Sequence, residues 1–213
     1  MPLTATATGG ADFDPVPEGV YRGICYALYD LGTHYDEMYK KDSHRCLIMW
    51  ELPDADPIEI EKDGVKKTMP RSISKFYTLS LGDRANLRKD LEGWRGRGFT
   101  PVELEGFDIK NILGVACQIQ VIHKTNQKGD VKQKVAAVLA MPQGSEAIKA
   151  VNALRYFSFE DNMDLPAETT DGIAKIITSS KEWIERQDGG APDFGDIEDR
   201  TDHSEDESDS LPF

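Results

Sequence analysis

Residues 45–52, RCLIMWEL, restrict the fold more than any other stretch of the chain. Cys46, Ile48, Trp50 and Leu52 alternate with Arg45, Leu47, Met49 and Glu51, the period of two by which a strand sends alternate side chains to opposite faces of a sheet. Pro53 ends the run, since proline has no N–H to give a ladder. Strand-like runs recur along the chain. Residues 19–31 are rich in Tyr, Ile, Cys and Leu. Residues 69–79 set Ile73, Lys75, Tyr77 and Leu79 against Ser72, Ser74, Phe76 and Thr78, and residues 115–124 and 131–141 add two more runs, joined by a turn at 126–130. Residues 57–65 form a short excursion turning at Asp63-Gly64, a hairpin signal.

A helix interrupts this series. Ser80 followed by Asp83 resembles a capping box, Ala85, Leu87, Leu91 and Trp94 give an apolar stripe, and Gly96 and Gly98 terminate it. A short helix is expected at 108–113, a turn or two at 146–155, and a better one at 171–186 with Ile173, Ile176, Ile177, Ser180 and Ile184 as its buried face. Strand, strand, strand, helix, strand, strand is the layout of the OB-fold, a five-stranded Greek-key barrel whose one face and adjoining loops bind single strands. SH3-like barrels lack the interposed helix. The expected chain is mainly β with helices: a loose arm over 1–18, a five-stranded OB barrel over 19–142 with a helix between strands 3 and 4, a helical extension over 143–187 and a disordered acidic tail over 188–213. Trp50 and Trp94, in phase with apolar neighbours, belong to its core.

Several classes of chemistry find no support. No apolar run approaches the ~18 residues of a membrane span, and residues 1–5 lack the basic and apolar regions of a signal peptide. Cys25, Cys46 and Cys117 are odd in number and sit in apolar runs with no CxxC or zinc spacing, which points to a reducing compartment and no bound metal. Phosphate-loop, nucleophile-elbow, metalloprotease and dinucleotide signatures are missing, and His34, His44, His123 and His203 are not grouped. The expectation is a non-enzyme without cofactor.

Charge is segregated. Of the net −13, residues 188–213 carry −9, whereas residues 62–97 hold a local +6 and residues 118–134 a local +3. A single-strand binder needs cations along phosphates and flat side chains under bases, each stack worth ~1–3 kcal/mol. Arg71, Lys75 and Tyr77 on the third strand meet that need, with Lys75 and Tyr77 taken as outward because lysine is seldom buried. So do Tyr35, Tyr39, Lys40 and Lys41 in the loop at 32–44, Arg45 beside it, and His123, Lys124 and Lys128 at the end of the fourth strand. Tyr35 and Tyr39 serve equally well as loop packing or as stacking platforms.

The acidic run ends on Asp209, Ser210, Leu211, Pro212 and Phe213. A solvated tail does not account for an apolar tip, whereas capture of a terminal Phe and its carboxylate in a pocket rimmed by Lys/Arg does. A flexible chain of this length spans about 28 Å, enough to fold back over basic regions of its own body.

That tip resembles the C-terminal tip of bacterial single-stranded-DNA-binding proteins. Three stretches of the body, Asp30-Leu31-Gly32-Thr33, Trp50-Glu51-Leu52-Pro53, and residues 75–81 (KFYTLSL) continuing through residues 86–95 (NLRKDLEGWR), resemble a family of tailed-bacteriophage OB-fold single-strand binders over about residues 19–142. The resemblance implies a protein of phage DNA replication and recombination, in the cytoplasm of the infected bacterial host. It would coat single-stranded DNA without sequence preference and recruit replication or recombination proteins through Asp209, Leu211, Pro212 and Phe213. The competing readings are an acidic adaptor or DNA mimic without DNA affinity, and a structural virion protein.

Overall fold

The structure is a computed structural model that describes residues 14–37, 39–62, 65–125, 129–161 and 163–187. The arm before residue 14, the turn at Asp63-Gly64, Lys128 and the whole run 188–213, with Asp209, Leu211, Pro212 and Phe213, lie outside the described residues.

The fold is mainly β, with a large antiparallel sheet and few helices. Its spine is β1 (Gly19–Asp36), which pairs antiparallel with β2 (Lys41–Leu52) along one edge. On its other edge β1 pairs antiparallel with β6 (Ala116–Thr125) over residues 19–24, then in parallel with the short β8 (Arg155–Phe157) over residues 27–29. With β5 (Arg71–Thr78) outside β2 and β7 (Val131–Leu139) outside β6, the strand order is β5-β2-β1-β6-β7. The excursion is a separate hairpin of β3 (Ile58–Lys62) and β4 (Val65–Met69). The polar loop expected over 32–44 shrinks to 37–40, because β1 and β2 continue to pair out to Asp36 and Lys41.

Two irregularities shape β1. Its register with β2 slips at Tyr26 and again at Leu31, each an extra residue on the bulged strand. Because a one-residue shift exchanges faces, Cys25 and Leu28 both point into one core, while Tyr26, Ala27, Tyr29 and Leu31 enter another on the opposite face. That is why residues 19–31 read as a nearly unbroken apolar run.

The first core joins Cys46, Ile48, Trp50 and Leu52 of β2 to Ile73 and Tyr77 of β5, and to Ile119 and Val121 of β6. It is covered by Leu87, Leu91 and Trp94 of α1 (Asn86–Arg95). Trp50 and Trp94 are both buried as expected, their rings 5.9 Å apart, and the Trp94 indole donates to the Ala116 carbonyl at 2.9 Å. The second core packs Phe157 and Phe159, with Ile173 and Ile177 of α3 (Asp171–Thr178), against Tyr26, Tyr29, Leu31 and Leu47. The buried Glu51 carboxylate fastens this layer to the sheet by accepting the backbone N–H groups of Val151 at 2.8 Å and Asn152 at 2.5 Å.

The sheet is not closed into the expected barrel. Its edge strands β5 and β7 are not hydrogen-bonded partners. Instead α1 touches both: Asp90 holds Lys75 and Tyr77 of β5, and the Gly93 carbonyl accepts the Ala140 N–H at 2.9 Å just past β7. The helix thus takes the place of a ladder along that seam.

Local signals were mixed. Gly96 ends α1 at φ +67° as expected, but the residue before the helix is Ala85, with no side-chain cap; Ser80 accepts the Gly82 N–H in a turn instead. A true capping box, Thr100 with Glu103, opens the unanticipated α2 (Pro101–Glu105). A 3-10 turn occupies Ile109–Ile112. The helix expected at 171–186 is two, α3 and α4 (Lys181–Gln187), parted at Ser179-Ser180; the break rotates Ile184 into solvent while Ile173, Ile177 and Ser180 stay buried. Residues 146–155 form no helix; their end supplies β8.

A Cβ on Gly93 would sit 2.5 Å from the Val138 carbonyl oxygen, a backbone atom that cannot swing aside. Gly93→Ala should therefore destabilise the chain by about 1–3 kcal/mol, read as an earlier urea midpoint. An unchanged midpoint would contradict the close helix–sheet contact.

Candidate nucleic-acid interface

The residues singled out from the sequence fall into three places. At the β1–β2 end, Tyr35 is half-exposed to solvent (54%), and the Lys41 ammonium lies 5.7 Å from the Tyr39 ring centroid. Lys40 is exposed and adopts φ +49°, turning the chain between the strands. Arg45 reaches back to Asp36 at 3.0 Å, so its charge is already matched. This end presents aromatic surface with a cation beside it, the combination that base stacking requires.

On β5 the expectation is corrected. Tyr77 points into the first core, only 4% exposed, and its hydroxyl donates to Asp90 at 2.8 Å. Burial first, and the Asp90 charge second, push the Tyr77 hydroxyl well above the ordinary phenol range. Lys75 lies on the same face, 2.8 Å from the same carboxylate and with its ammonium 5.3 Å from the Tyr77 ring centroid. A carboxylate supplied by α1 makes an inward lysine tolerable.

Arg71 and His123 are also committed elsewhere. Arg71 donates to the backbone carbonyls of Asp14 and Asp56. His123 bonds the Val16 carbonyl through Nε2 at 2.7 Å, its own N–H goes to Glu18, and Gln133 accepts the Val16 N–H at 2.6 Å. These contacts seat the fully buried Val16 side chain in the first core. The two residues clamp the start of the described chain to the sheet.

Within the basic run 62–97 several cations are paired inside the fold, while Lys66, Lys67 and Lys89 stay exposed. Arg88 pairs with Asp83 and Glu92, and Arg95 and Arg97 both pair with Glu103. Hydrogen bonds from Arg97, then from the Thr100 backbone, hold Glu103 far below the usual carboxylate range. The Arg95 guanidinium also sits over Phe99 and Phe107, 4.3 and 5.1 Å from their ring centroids. Net charge by segment does not reveal such pairing.

The β6–β7 hairpin is different. Lys124 stands directly opposite Lys132, both exposed, and neither has a carboxylate partner among the described residues. Two positions along, Lys134 faces Ile122 on the same side of the sheet. Like charges directly opposite on neighbouring strands are destabilising. Lys132 was legible only as part of a local charge count; the register that sets it against Lys124 appears only in the pairing. The two hairpin ends sit at opposite ends of β1, since Gly19 pairs with Val121 and Asp36 with Lys41.

The three cysteines are buried and free. Burial pushes the Cys25 thiol up to about 12 and raises Cys46 and Cys117 further, which opposes any thiolate chemistry near neutral pH. Among the described residues no group of three His, Cys, Asp or Glu has an arrangement that could hold a metal ion, and no helix is long and apolar enough to cross a membrane. A search against models of known protein families finds no match to the chain.

Two outcomes check this assignment of side chains. Tyr77→Phe should cost about 0.5–1.5 kcal/mol of stability, the worth of one intramolecular hydrogen bond, without changing affinity for any single-stranded oligonucleotide the protein binds. At pH 8 the native protein should leave all three thiols unreacted with a chromogenic disulfide, and all three should react once it is unfolded.

Proposed function

We propose that the chain is a sequence-independent single-stranded-DNA-binding protein of the OB type, serving phage DNA replication and recombination in the bacterial cytoplasm. The observation that carries this reading is the unmatched Lys124–Lys132 pair, a geometry that costs stability unless a polyanion lies across it. The strand order β5-β2-β1-β6-β7, with α1 between the third and fourth of these strands in sequence, supports it as the order of an OB barrel laid open along one seam. Exposed Tyr35 and the Tyr39–Lys41 pair supply stacking surface at the other hairpin. The acidic run 188–213 competes with DNA for the same lysines, and Leu211-Pro212-Phe213 recruits replication or recombination proteins.

A second reading gains from one observation. Arg88, Arg95 and Arg97 are held by acids within the fold and are less available to phosphates than the sequence implied, as would suit a DNA mimic or acidic adaptor. A gel shift with single-stranded DNA separates the two, because a mimic gives none.

Lys124→Gln with Lys132→Gln relieves the like-charge contact, so the variant should be at least as stable as the parent. It should bind oligo-dT more weakly, with the slope of log K against log salt reduced by about 1.4, or ~0.7 for each lost phosphate contact. Unchanged affinity and slope would remove the hairpin from the interface. Phe213→Ala should weaken partner capture and leave DNA affinity in place; equal loss of both would refute the division of labour within the tail.

A further inference from the structure

The polar joint between the sheet and α4 is the strongest feature that DNA binding does not use. His44 of β2 lies between two carboxylates, with Nε2 2.7 Å from Asp30 of β1 and Nδ1 3.5 Å from Glu182 of α4. Glu182 is buried although it lies in the first turn of a short surface helix. It accepts the Thr33 N–H at 2.6 Å and the Thr33 hydroxyl at 2.5 Å. The second bulge of β1 makes this possible. Gly32, at φ +75°, brings the backbone so close to α4 that a Cβ there would lie 2.5 Å from Ser180 and 2.6 Å from Glu182. Asp30 also accepts the Gly32 N–H at 2.9 Å.

We propose that His44 is a proton-operated latch, closed when its ring bridges Asp30 and Glu182 and opened when it loses its proton, so that α4 is released from the sheet. The proposal stands whether or not the chain binds DNA.

With both ring nitrogens protonated, each faces an acceptor. With one proton lost while Nε2–H stays on Asp30, the Nδ1 lone pair confronts Glu182, and two carboxylates share a largely buried site without a cation. The groups facing the ring are Asp30 and Thr33 from β1 and Glu182 from α4, with the Glu160 charge adding at longer range. Lys181, next to Glu182 in sequence, is bound to Asp42 at the rim and does not relieve the site.

Burial opposes charging of the ring, but the Asp30 hydrogen bond and the charges of Asp30 and Glu182 outweigh it and raise the pKa above its ordinary 6.5. A group raised in the folded state contributes stability that is fully present below its unfolded pKa and is lost as pH rises through the folded value. The latch is therefore closed at and below about pH 6.5 and opens on the alkaline side. A lone nucleophile–histidine–acid reading of Thr33, His44 and Asp30 fails on geometry, since the Thr33 hydroxyl is 3.4 Å from the ring and is taken by Glu182 at 2.5 Å.

The test uses the full-length protein. The His44 ring signal is followed by NMR from pH 5.5 to 9, alongside hydrogen exchange of peptides covering 181–187, corrected for the intrinsic pH dependence of exchange. The ring should titrate above the ordinary histidine range. Protection of 181–187 should fall through the same titration, by about tenfold for each unit separating the docked and undocked pKa values. Glu182→Gln, which keeps an acceptor for Thr33, should lower the ring's midpoint and flatten the pH dependence of protection. A ring that titrates at or below the ordinary value would overturn the proposal. So would protection that ignores the ring's titration, or the same fall in Glu182→Gln.

Discussion

The structure hangs on β1 being hydrogen-bonded along both edges and buried on both faces. Its edges accept β2 on one side and, in succession, β6 and β8 on the other. Without the slips at Tyr26 and Leu31 its side chains would alternate strictly, and the strand could not send Cys25 and Leu28 to one core and Tyr26, Ala27, Tyr29 and Leu31 to the other. The second slip also exposes the Thr33 N–H and places Gly32 against α4, so the geometry that builds the second core also builds the His44 joint.

Charge is handled differently in the two halves of the molecule. Around α1 four cations are given acids: Lys75 meets Asp90, Arg88 meets Asp83 and Glu92, and Arg95 and Arg97 meet Glu103. The exposed ones among these pairs contribute little individually, but pairing withdraws the cations from other duty. The β6–β7 hairpin follows the opposite rule, leaving Lys124 and Lys132 facing each other. That like-charge contact, without a carboxylate partner among the described residues, is the physical basis on which we propose a polyanion for that surface.

Much of the fold was legible because period-two alternation survives in β2 and β5, and because Gly96 stops α1 by its left-handed backbone. The inward turn of Lys75 and Tyr77 was not, since the rule that lysine stays outside assumes no buried carboxylate, and Asp90 arrives from the next helix. Arg71 and His123 look available in sequence because their partners are backbone carbonyls, which carry no residue signature. His44 looked isolated for a related reason: Glu182 is brought to it by the fold of residues 143–187 over the sheet, and no local spacing encodes that meeting.

The most direct measurement is a fluorescence titration of the full-length chain, and of a chain ending at Gln187, with oligo-dT of graded length at several salt concentrations. With about four phosphates neutralised per molecule, log K should fall with log salt at a slope near −3, and the shortened chain should bind as tightly as the full one or more so. Absence of binding at low salt by both proteins would contradict the account.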